Sequence, residues 1–131
     1  MIIETSALVS ILLDEPESVR LTRAVSTANR RWLSVANYVE ASVVLQRRFG
    51  TPRLADVDRL CTALQISIRS VTPRMGDLAV QAHVRYGQGS GHPAGLNFGD
   101  CFAYALAMDS GQPLLFVGRD FARTDVPAAA W

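Results

Sequence analysis

The 131-residue chain contains no lysine, and all 13 of its basic residues are arginine. A mechanism that requires a lysine amine is therefore excluded. Twelve acidic residues nearly balance the arginines, and the formal net charge is +1. The chain as a whole thus lacks the strong basicity that is typical of nucleic-acid-binding domains. A nucleic-acid partner has to be inferred from local features.

Cysteine is scarce, and long apolar runs are missing. Cys61 and Cys101 are far apart and have no histidine at ligand spacing, which argues against a zinc site or a disulfide scaffold. We expect two buried, reduced thiols. Met1 is followed by neither a basic leader nor a cleavage site, and no apolar run approaches the roughly 20 residues that a membrane span needs. We therefore expect a cytoplasmic protein without membrane association.

Short apolar runs alternate with segments of helical periodicity. The strand pattern covers residues 1–4, 32–34, 66–71 and 114–117. Helical spacing covers residues 7–13, 16–28, 35–49, 54–64, 73–86 and 99–110. This alternation predicts one α/β domain over residues 1–131, with a mainly parallel central sheet covered by helices on both faces. A mass of 14.3 kDa and a hydrophobic fraction of 49% are sufficient for a single core-forming domain.

Several boundaries follow from local chemistry. Thr5 and Ser6 are good N-cap residues for the first helix, and Ser34 for the third. On the third helix we expect an apolar side formed by Ala36, Val39, Val43 and Val44. Residues 87–95 contain four glycines and predict a mobile loop.

Four acidic residues occupy positions typical of a functional crevice. In parallel α/β sheets, that crevice lies at the carboxyl ends of the strands. Glu4 directly follows the first predicted strand, and Asp120 follows the last one. Asp100 begins a helix that could point its N-terminus at the same place, and Glu40 borders the buried side of the third helix.

Each acid also has a simpler interpretation. Asp100 follows Asn97 at the spacing of a helix-capping pair, Glu40 fits a solvated helix residue, and Asp120 fits a turn. Taken together, however, carboxylates in one crevice would raise each other's pKa unless a cation neutralised them. Mg²⁺ or Mn²⁺ prefers oxygen ligands and can activate a water molecule for attack on a phosphodiester.

Four segments in order resemble the PIN-domain ribonuclease toxins of the VapC type. They are MIIETSAL at residues 1–8, Glu40 in the helix after Ser34, NFGDC at residues 97–101, and LLFVGRDF at residues 114–121 followed by Thr124 and Asp125. The resemblance covers nearly the whole chain. It implies a single PIN domain with a Rossmann-like, three-layer α/β/α fold.

The resemblance also implies a function. Proteins of this kind are Mg²⁺- or Mn²⁺-dependent endoribonucleases, the toxins of type II toxin–antitoxin pairs. They are usually homodimers silenced by a VapB-type antitoxin, and they cut structured RNA such as tRNA or rRNA in accessible loops. By position, the catalytic acids would be Glu4, Glu40, Asp100 and Asp120, with Glu4, Asp100 and Asp120 as metal ligands. Thr5 or Ser6 would support the first acid or a metal-bound water, Asn97 would orient the site, and Asp125 would be an accessory acid.

Glu4 departs from the family pattern, in which this position is normally Asp. The extra methylene displaces the carboxylate by about one carbon–carbon bond, and reactive sites are sensitive to misplacement on that scale. A tolerated natural variant, a weakened toxin and an engineered substitution all remain open.

Arginines near the predicted crevice are candidates for contacts to RNA phosphates, because RNA affinity needs local cations. Arg85, Arg119 and Arg123 are the best placed. Further candidates are Arg30, Arg31, Arg47, Arg48 and Arg53, although a surface arginine that only aids solubility is the favoured interpretation of any one of them. His92 is a candidate acid within the glycine-rich loop.

Two other functions compete with this prediction. One is a receiver-like phosphoacceptor domain, which also gathers acids around Mg²⁺ but relies on a lysine that this chain lacks. The other is a catalytically weakened or inactive PIN-like interaction module, whose acidic groove would bind an arginine of a partner. Glu4 favours this second alternative.

Overall fold

The structure is a computed structural model that describes residues 1–131, apart from the side chain of Pro52. Over this part of the chain there are four strands: β1 (Ile2–Ile3), β2 (Trp32–Ser34), β3 (Ser67–Arg69) and β4 (Leu114–Leu115). The helices are α1 (Thr5–Leu12), α2 (Ser18–Thr27), α3 (Val35–Phe49), α4 (Ala55–Ala63), α5 (Pro73–Tyr86) and α6 (Phe98–Ser110). Short 3₁₀ turns cover Thr51–Arg53 and Phe121–Arg123. None of the helices in the described residues is both long and apolar enough to cross a bilayer.

All four strands are parallel and lie in the order β3-β2-β1-β4. Ile2 of β1 lies opposite Trp32 on one side and Leu114 on the other. Parallel neighbours need a crossover connection, and each one here contains at least one helix. The predicted parallel α/β fold is confirmed, and the carboxyl ends of the strands share one edge of the sheet.

Successive strand residues contribute to two separate cores, one on each face of the sheet. Ile2 and Leu114 belong to the core that contains residues of α5 and α6. Ile3 and Leu115 belong to the core that contains residues of α1, α2, α3 and α4. This alternation follows from the two-residue repeat of a strand, and it produces the predicted three layers.

The start of α3 agrees with the prediction from the sequence: Ser34 is its N-cap, and the Ser34 hydroxyl accepts from the backbone N–H of Ala36 at 3.3 Å. At the first helix, however, Thr5 and Ser6 are not the cap. The N-cap is Glu4, whose carboxylate accepts from the backbone N–H of Ser6 at 2.7 Å. Helix α1 therefore begins directly at the end of β1, and Thr5 and Ser6 lie in its first turn.

The prediction for the buried side of α3 was wrong. Val39 and Val43 are 53% and 39% exposed, whereas Asn37, Ala41 and Leu45 are fully buried. These three follow the i, i+4 spacing of one helix face. A polar residue is tolerated on this face because the Asn37 amide finds hydrogen-bond acceptors there. The valines are left on the outside of the domain.

Candidate active site

A cleft of about 290 Å³ opens at the carboxyl edge of the sheet. Its walls come from four parts of the chain: α1, α3, the start of α6, and the segment after β4. The lining residues are Glu4, Thr5, Ser6, Val9, Glu40, Val44, Asn97, Asp100, Val117, Asp120 and Phe121. The four acids singled out from the sequence therefore line one cleft.

Glu4 lies deepest, at the junction of β1 and α1, and is 3% exposed. Its Oε2 accepts from both the backbone N–H and the hydroxyl of Ser6. The same hydroxyl accepts from the backbone N–H of Val117 at 2.9 Å, so Ser6 links the first acid to the chain beyond β4. The pKa of Glu4 is raised to about 7, with burial as the largest cause; the Ser6 hydrogen bonds act to lower this pKa, and the charges of Asp100 and Glu40 act to raise it.

Asp100 is both a helix-capping residue and a cleft residue. Its Oδ2 accepts from the backbone N–H of Asn97 at 2.7 Å, and its own N–H donates to the Asn97 side chain at 2.9 Å, which forms a capping box. The pKa of Asp100 is raised to about 6, with burial as the largest cause; the Asn97 hydrogen bond acts to lower this pKa, and the charges of Glu40 and Asp120 act to raise it. The two interpretations of Asp100 are therefore compatible.

Glu40 projects from α3 toward the first turn of α6. Its Oε2 accepts from the Thr5 hydroxyl at 2.6 Å and from the Asn37 amide at 3.3 Å. We expected Thr5 or Ser6 to support the first acid or a metal-bound water; in the structure Ser6 donates to Glu4, and the Thr5 hydroxyl donates to Glu40. The two hydroxyls of the first α1 turn thus serve two different carboxylates.

Asn37 and Gly99 are two further site residues that the sequence did not single out. The buried Asn37 amide donates to Thr5, to Glu40 and to the Gly99 carbonyl, the last at 3.1 Å. A Cβ atom on Gly99 would overlap the Glu40 carboxylate. The i, i+3 spacing of Asn37 and Glu40 could have suggested a shared helix face, but no local signal pointed to Gly99.

Asp120 is exposed and precedes the second 3₁₀ turn. It lies at the rim of the cleft, next to the lining residue Phe121. Its charge raises the pKa of Asp100, which places the two carboxylates within electrostatic range.

The remaining predicted residues lie outside the cleft lining. Asp125 accepts from the Tyr104 hydroxyl at 2.8 Å and pairs with Arg85 at 3.2 Å. Burial acts to raise the pKa of Asp125, but the hydrogen bonds from Tyr104, Tyr86 and the backbone, together with the charge of Arg85, lower it more, so the net shift is downward. Arg123 donates to the Pro93 carbonyl, and Arg119 is exposed beside Asp120. His92 packs edge-on against the Tyr86 ring and accepts from the backbone N–H of Ala94.

The donor chemistry of the cleft fits a hard divalent cation. Among the described residues, no group of three or more histidine, cysteine, aspartate or glutamate side chains is arranged to hold a metal by protein ligands alone. Mg²⁺, however, typically keeps several waters and uses only one or two carboxylates plus substrate phosphates. Glu4 and Asp100 are buried carboxylates whose pKa values are raised partly by neighbouring negative charge, and a cation would relieve that repulsion.

The fold and the cleft together define a parallel α/β/α domain with an acidic, oxygen-rich site at the carboxyl edge of its sheet. The family model described as "PIN domain" matches residues 1–127. The chain belongs to the PIN-domain family.

Curated relatives refine this placement. The chain is 47% identical to "Ribonuclease VapC" of Mycolicibacterium smegmatis, with 98% of each chain covered. It is 44% identical to "Ribonuclease VapC30" of Mycobacterium tuberculosis, with 99% of this chain and 98% of that one covered. The crystal structure of Mycobacterium tuberculosis VapC20, described as a sarcin-ricin loop cleaving toxin, has a TM-score of 0.74 and covers 95% of both chains; at 16% identity it shows the fold alone. The VapC-type membership predicted from the sequence is confirmed.

Proposed function

We propose that this protein is a metal-dependent endoribonuclease and the toxin of a type II toxin–antitoxin pair. The observation that carries the proposal is the cleft in which Glu4, Glu40, Asp100 and Asp120 meet at the carboxyl edge of the sheet. The names of the two curated relatives described above, "Ribonuclease VapC" and "Ribonuclease VapC30", support the same chemistry.

In this proposal Glu4, Asp100 and Asp120 hold Mg²⁺ or Mn²⁺. When bound, the ion would lower the pKa of a water molecule and neutralise phosphate charge. Ser6 holds the Glu4 carboxylate through its N–H and hydroxyl. The Asn97 N–H holds one oxygen of Asp100, which fixes the direction in which that carboxylate faces the cleft.

Glu40 completes the acidic quartet as the group that orients the attacking water and receives its proton. Thr5 and Asn37 both donate to Oε2 of Glu40. These two hydrogen bonds hold the Glu40 carboxylate in position at the cleft.

The substrate class is RNA with accessible loops, such as tRNA or ribosomal RNA, and a VapB-type antitoxin is the proposed inhibitory partner. Asp125 remains a proposed accessory acid, and Arg119 and Arg123 remain proposed RNA contacts at the rim near Asp120. Arg85 is also a proposed contact, although it is paired with Asp125.

A homodimer is part of the proposal and is supported by apolar surface beside the cleft. Two adjoining hollows share Phe98 and Phe102. Phe98 is 80% exposed, and Val80 and Val84 of α5 are 65% and 70% exposed. A monomer seldom exposes such a continuous apolar surface. Light scattering of the wild type and of Val84→Asp tests the dimer, because a charge in the interface should dissociate it.

The function is tested by comparing RNA cleavage by the wild type and by Asp100→Asn, purified in parallel, with Mg²⁺ or Mn²⁺ and with excess chelator. We expect cleavage only for the wild type with metal. Equal cleavage by both proteins would indicate contamination or another site and would reject the assignment. A stable acyl phosphate after incubation with a small phosphodonor would favour the receiver-like alternative. Binding to an arginine-bearing partner without any cleavage would favour the interaction module.

A further inference from the structure

The face of α3 that lines the cleft continues beyond it as a basic surface. Glu40 and Val44 of this helix line the cleft. Arg47 and Arg48 follow Val44 at the i+3 and i+4 positions, which lie on the same side of an α-helix. Both arginines are exposed. Along α3, the cleft therefore leads over about two helical turns from the Glu40 carboxylate to the guanidinium groups of Arg47 and Arg48.

An exposed aromatic ring lies at the end of this surface. Phe49, the last residue of α3, is 42% exposed. The guanidinium of Arg48 lies 5.4 Å from its ring centroid, and that of Arg53 lies 5.1 Å from it. Arg53 is paired with Asp56, whereas Arg47 and Arg48 have no ion pair within the described residues. Two positive charges thus remain available for a ligand.

We propose that Arg47, Arg48 and Phe49 form a contact surface for the single-stranded RNA that flanks the cleavage site. Exposed guanidiniums match the phosphate backbone, and an aromatic ring beside arginine provides a stacking platform for a base. Contacts outside the acidic cleft supply affinity that four carboxylates cannot supply by themselves. The inference rests on the proposed ribonuclease function, but its test measures binding and needs no cleavage.

The test is the salt dependence of RNA affinity, measured by fluorescence anisotropy with a labelled single-stranded RNA of about 12 nucleotides and a metal chelator to prevent cleavage. Each phosphate contact to a single strand contributes about 0.7 to the slope of log affinity against log salt. The Arg47→Ser/Arg48→Ser variant should lower that slope by about 1.4. The Arg47→Lys/Arg48→Lys variant keeps the charges and should keep the slope.

Arg74→Ser is the matched control. Arg74 is exposed and pairs with Asp109, at the opposite end of α6 from Asp100, and its loss should leave affinity and slope unchanged. Phe49→Leu should weaken binding about fivefold or more without changing the slope, because stacking does not depend on counterions. Arginines in the last turn also stabilise a helix, so thermal unfolding of every variant is measured beside its affinity.

Specific outcomes overturn the inference. They are an unchanged slope for the double serine variant, an equal loss for Arg74→Ser, and the absence of RNA binding by the wild type. Loss of binding to a purified acidic protein partner, with RNA affinity intact, would assign the surface to that partner instead. If the wild type cleaved RNA but the double serine variant kept the wild-type slope, this surface would be rejected and the ribonuclease proposal would stand. If the double serine variant had a lower slope but the wild type did not cleave RNA, the surface would stand and the ribonuclease proposal would be rejected.

Discussion

The Glu40 carboxylate occupies the space that a side-chain methyl group on Gly99 would fill. Glu40 comes from α3 and Gly99 from the first turn of α6, next to Asp100. Two of the four acids are therefore brought into one cleft by a close approach that a side chain at position 99 would prevent. A hydrogen bond also holds the two helices together at this point, because the Asn37 amide of α3 donates to the Gly99 carbonyl of α6.

We predict that Gly99→Ala abolishes most RNA cleavage while leaving the protein folded. The added methyl group meets the end of a flexible side chain, so the stability cost is small, but the Glu40 carboxylate must leave the bonds from Thr5 and Asn37. Displacement of about 1 Å in a reactive site can cost roughly 100-fold in rate. Cleavage rate and thermal unfolding are measured together.

The matched control is Gly76→Ala in α5. Apart from the adjacent residues and the backbone of the helix itself, no atom lies within 4 Å of a Cβ at this position, so alanine should preserve activity. It should also raise the free energy of unfolding by about 0.5–1 kcal/mol, because glycine is the poorer helix former. Wild-type activity of Gly99→Ala would show that the position of Glu40 does not limit the reaction.

A second prediction concerns Asn37, which is fully buried. Asn37→Ala leaves the Gly99 carbonyl without this donor and frees the Glu40 carboxylate from one of its two bonds. Removal of a partner from a buried polar group costs about 1–3 kcal/mol, so we expect a loss of that size in the free energy of unfolding, together with slower cleavage. Urea denaturation and cleavage assays measure the two effects.

Ser42→Ala is the control on the same helix, since the Ser42 hydroxyl donates only to the Tyr38 carbonyl one turn back. It should change stability and activity little. If Asn37→Ala were as stable as Ser42→Ala, the Asn37 amide would not hold α3 against α6, and its role in positioning Glu40 would be rejected.

Sequence and structure agree where the determinants are local. The limits of α3 follow from Ser34 at one end and Gly50 at the other, where a positive φ of 79° suits glycine. Glu4 and Asp120 could be assigned to one edge because any parallel sheet gathers its carboxyl ends there. Both inferences need only the order of residues along the chain.

The contact between α3 and α6 could not be predicted in the same way. The valines of α3 have the periodicity of a buried face, yet the face that packs inward carries Asn37, Ala41 and Leu45. Which face is buried depends on the hydrogen-bond acceptors that Asn37 finds there. Two of them, the Thr5 hydroxyl and the Gly99 carbonyl, lie far from Asn37 in the sequence. The hydrogen bond between Thr5 and Glu40 could not be predicted for the same reason, because the two residues are 35 positions apart.

A third prediction follows from the raised pKa values of Glu4, to about 7, and Asp100, to about 6. In the folded protein both groups hold their protons at pH values where the unfolded chain has lost them. The stabilisation is therefore complete below about pH 4 and is lost as the pH rises through about 6 and 7. Without metal, the free energy of unfolding should fall over this range.

Glu4→Gln should reduce the fall in the free energy of unfolding with rising pH, because glutamine does not titrate. Added Mg²⁺ should raise the unfolding temperature of the wild type more at pH 8 than at pH 5, since metal binding requires deprotonated ligands. Denaturant titrations at several pH values, with and without metal, provide both measurements. An equal pH dependence in the wild type and Glu4→Gln would contradict the raised pKa of Glu4.

The last prediction concerns Glu4, a position at which the resemblance to VapC-type toxins led us to expect aspartate. Glu4→Asp shortens the side chain by one methylene and should increase the rate of metal-dependent RNA cleavage. Aspartate is also a favoured N-cap residue, so it can retain the bonds to Ser6 and should leave the start of α1 intact. Single-turnover cleavage with saturating Mg²⁺ or Mn²⁺ measures the effect.

Glu40→Asp is the opposite shortening in the same cleft. It should lower the rate, because a shorter side chain withdraws the carboxylate from the Thr5 hydroxyl that lies 2.6 Å from it. Comparison of Glu4→Asp with Glu40→Asp thus shows whether the cleavage rate rises whenever an acidic side chain in the cleft is shortened, or only when Glu4 is shortened. If Glu4→Asp cleaved no faster than the wild type, glutamate would be a fully competent ligand here, and the interpretation of this chain as a weakened toxin would be rejected.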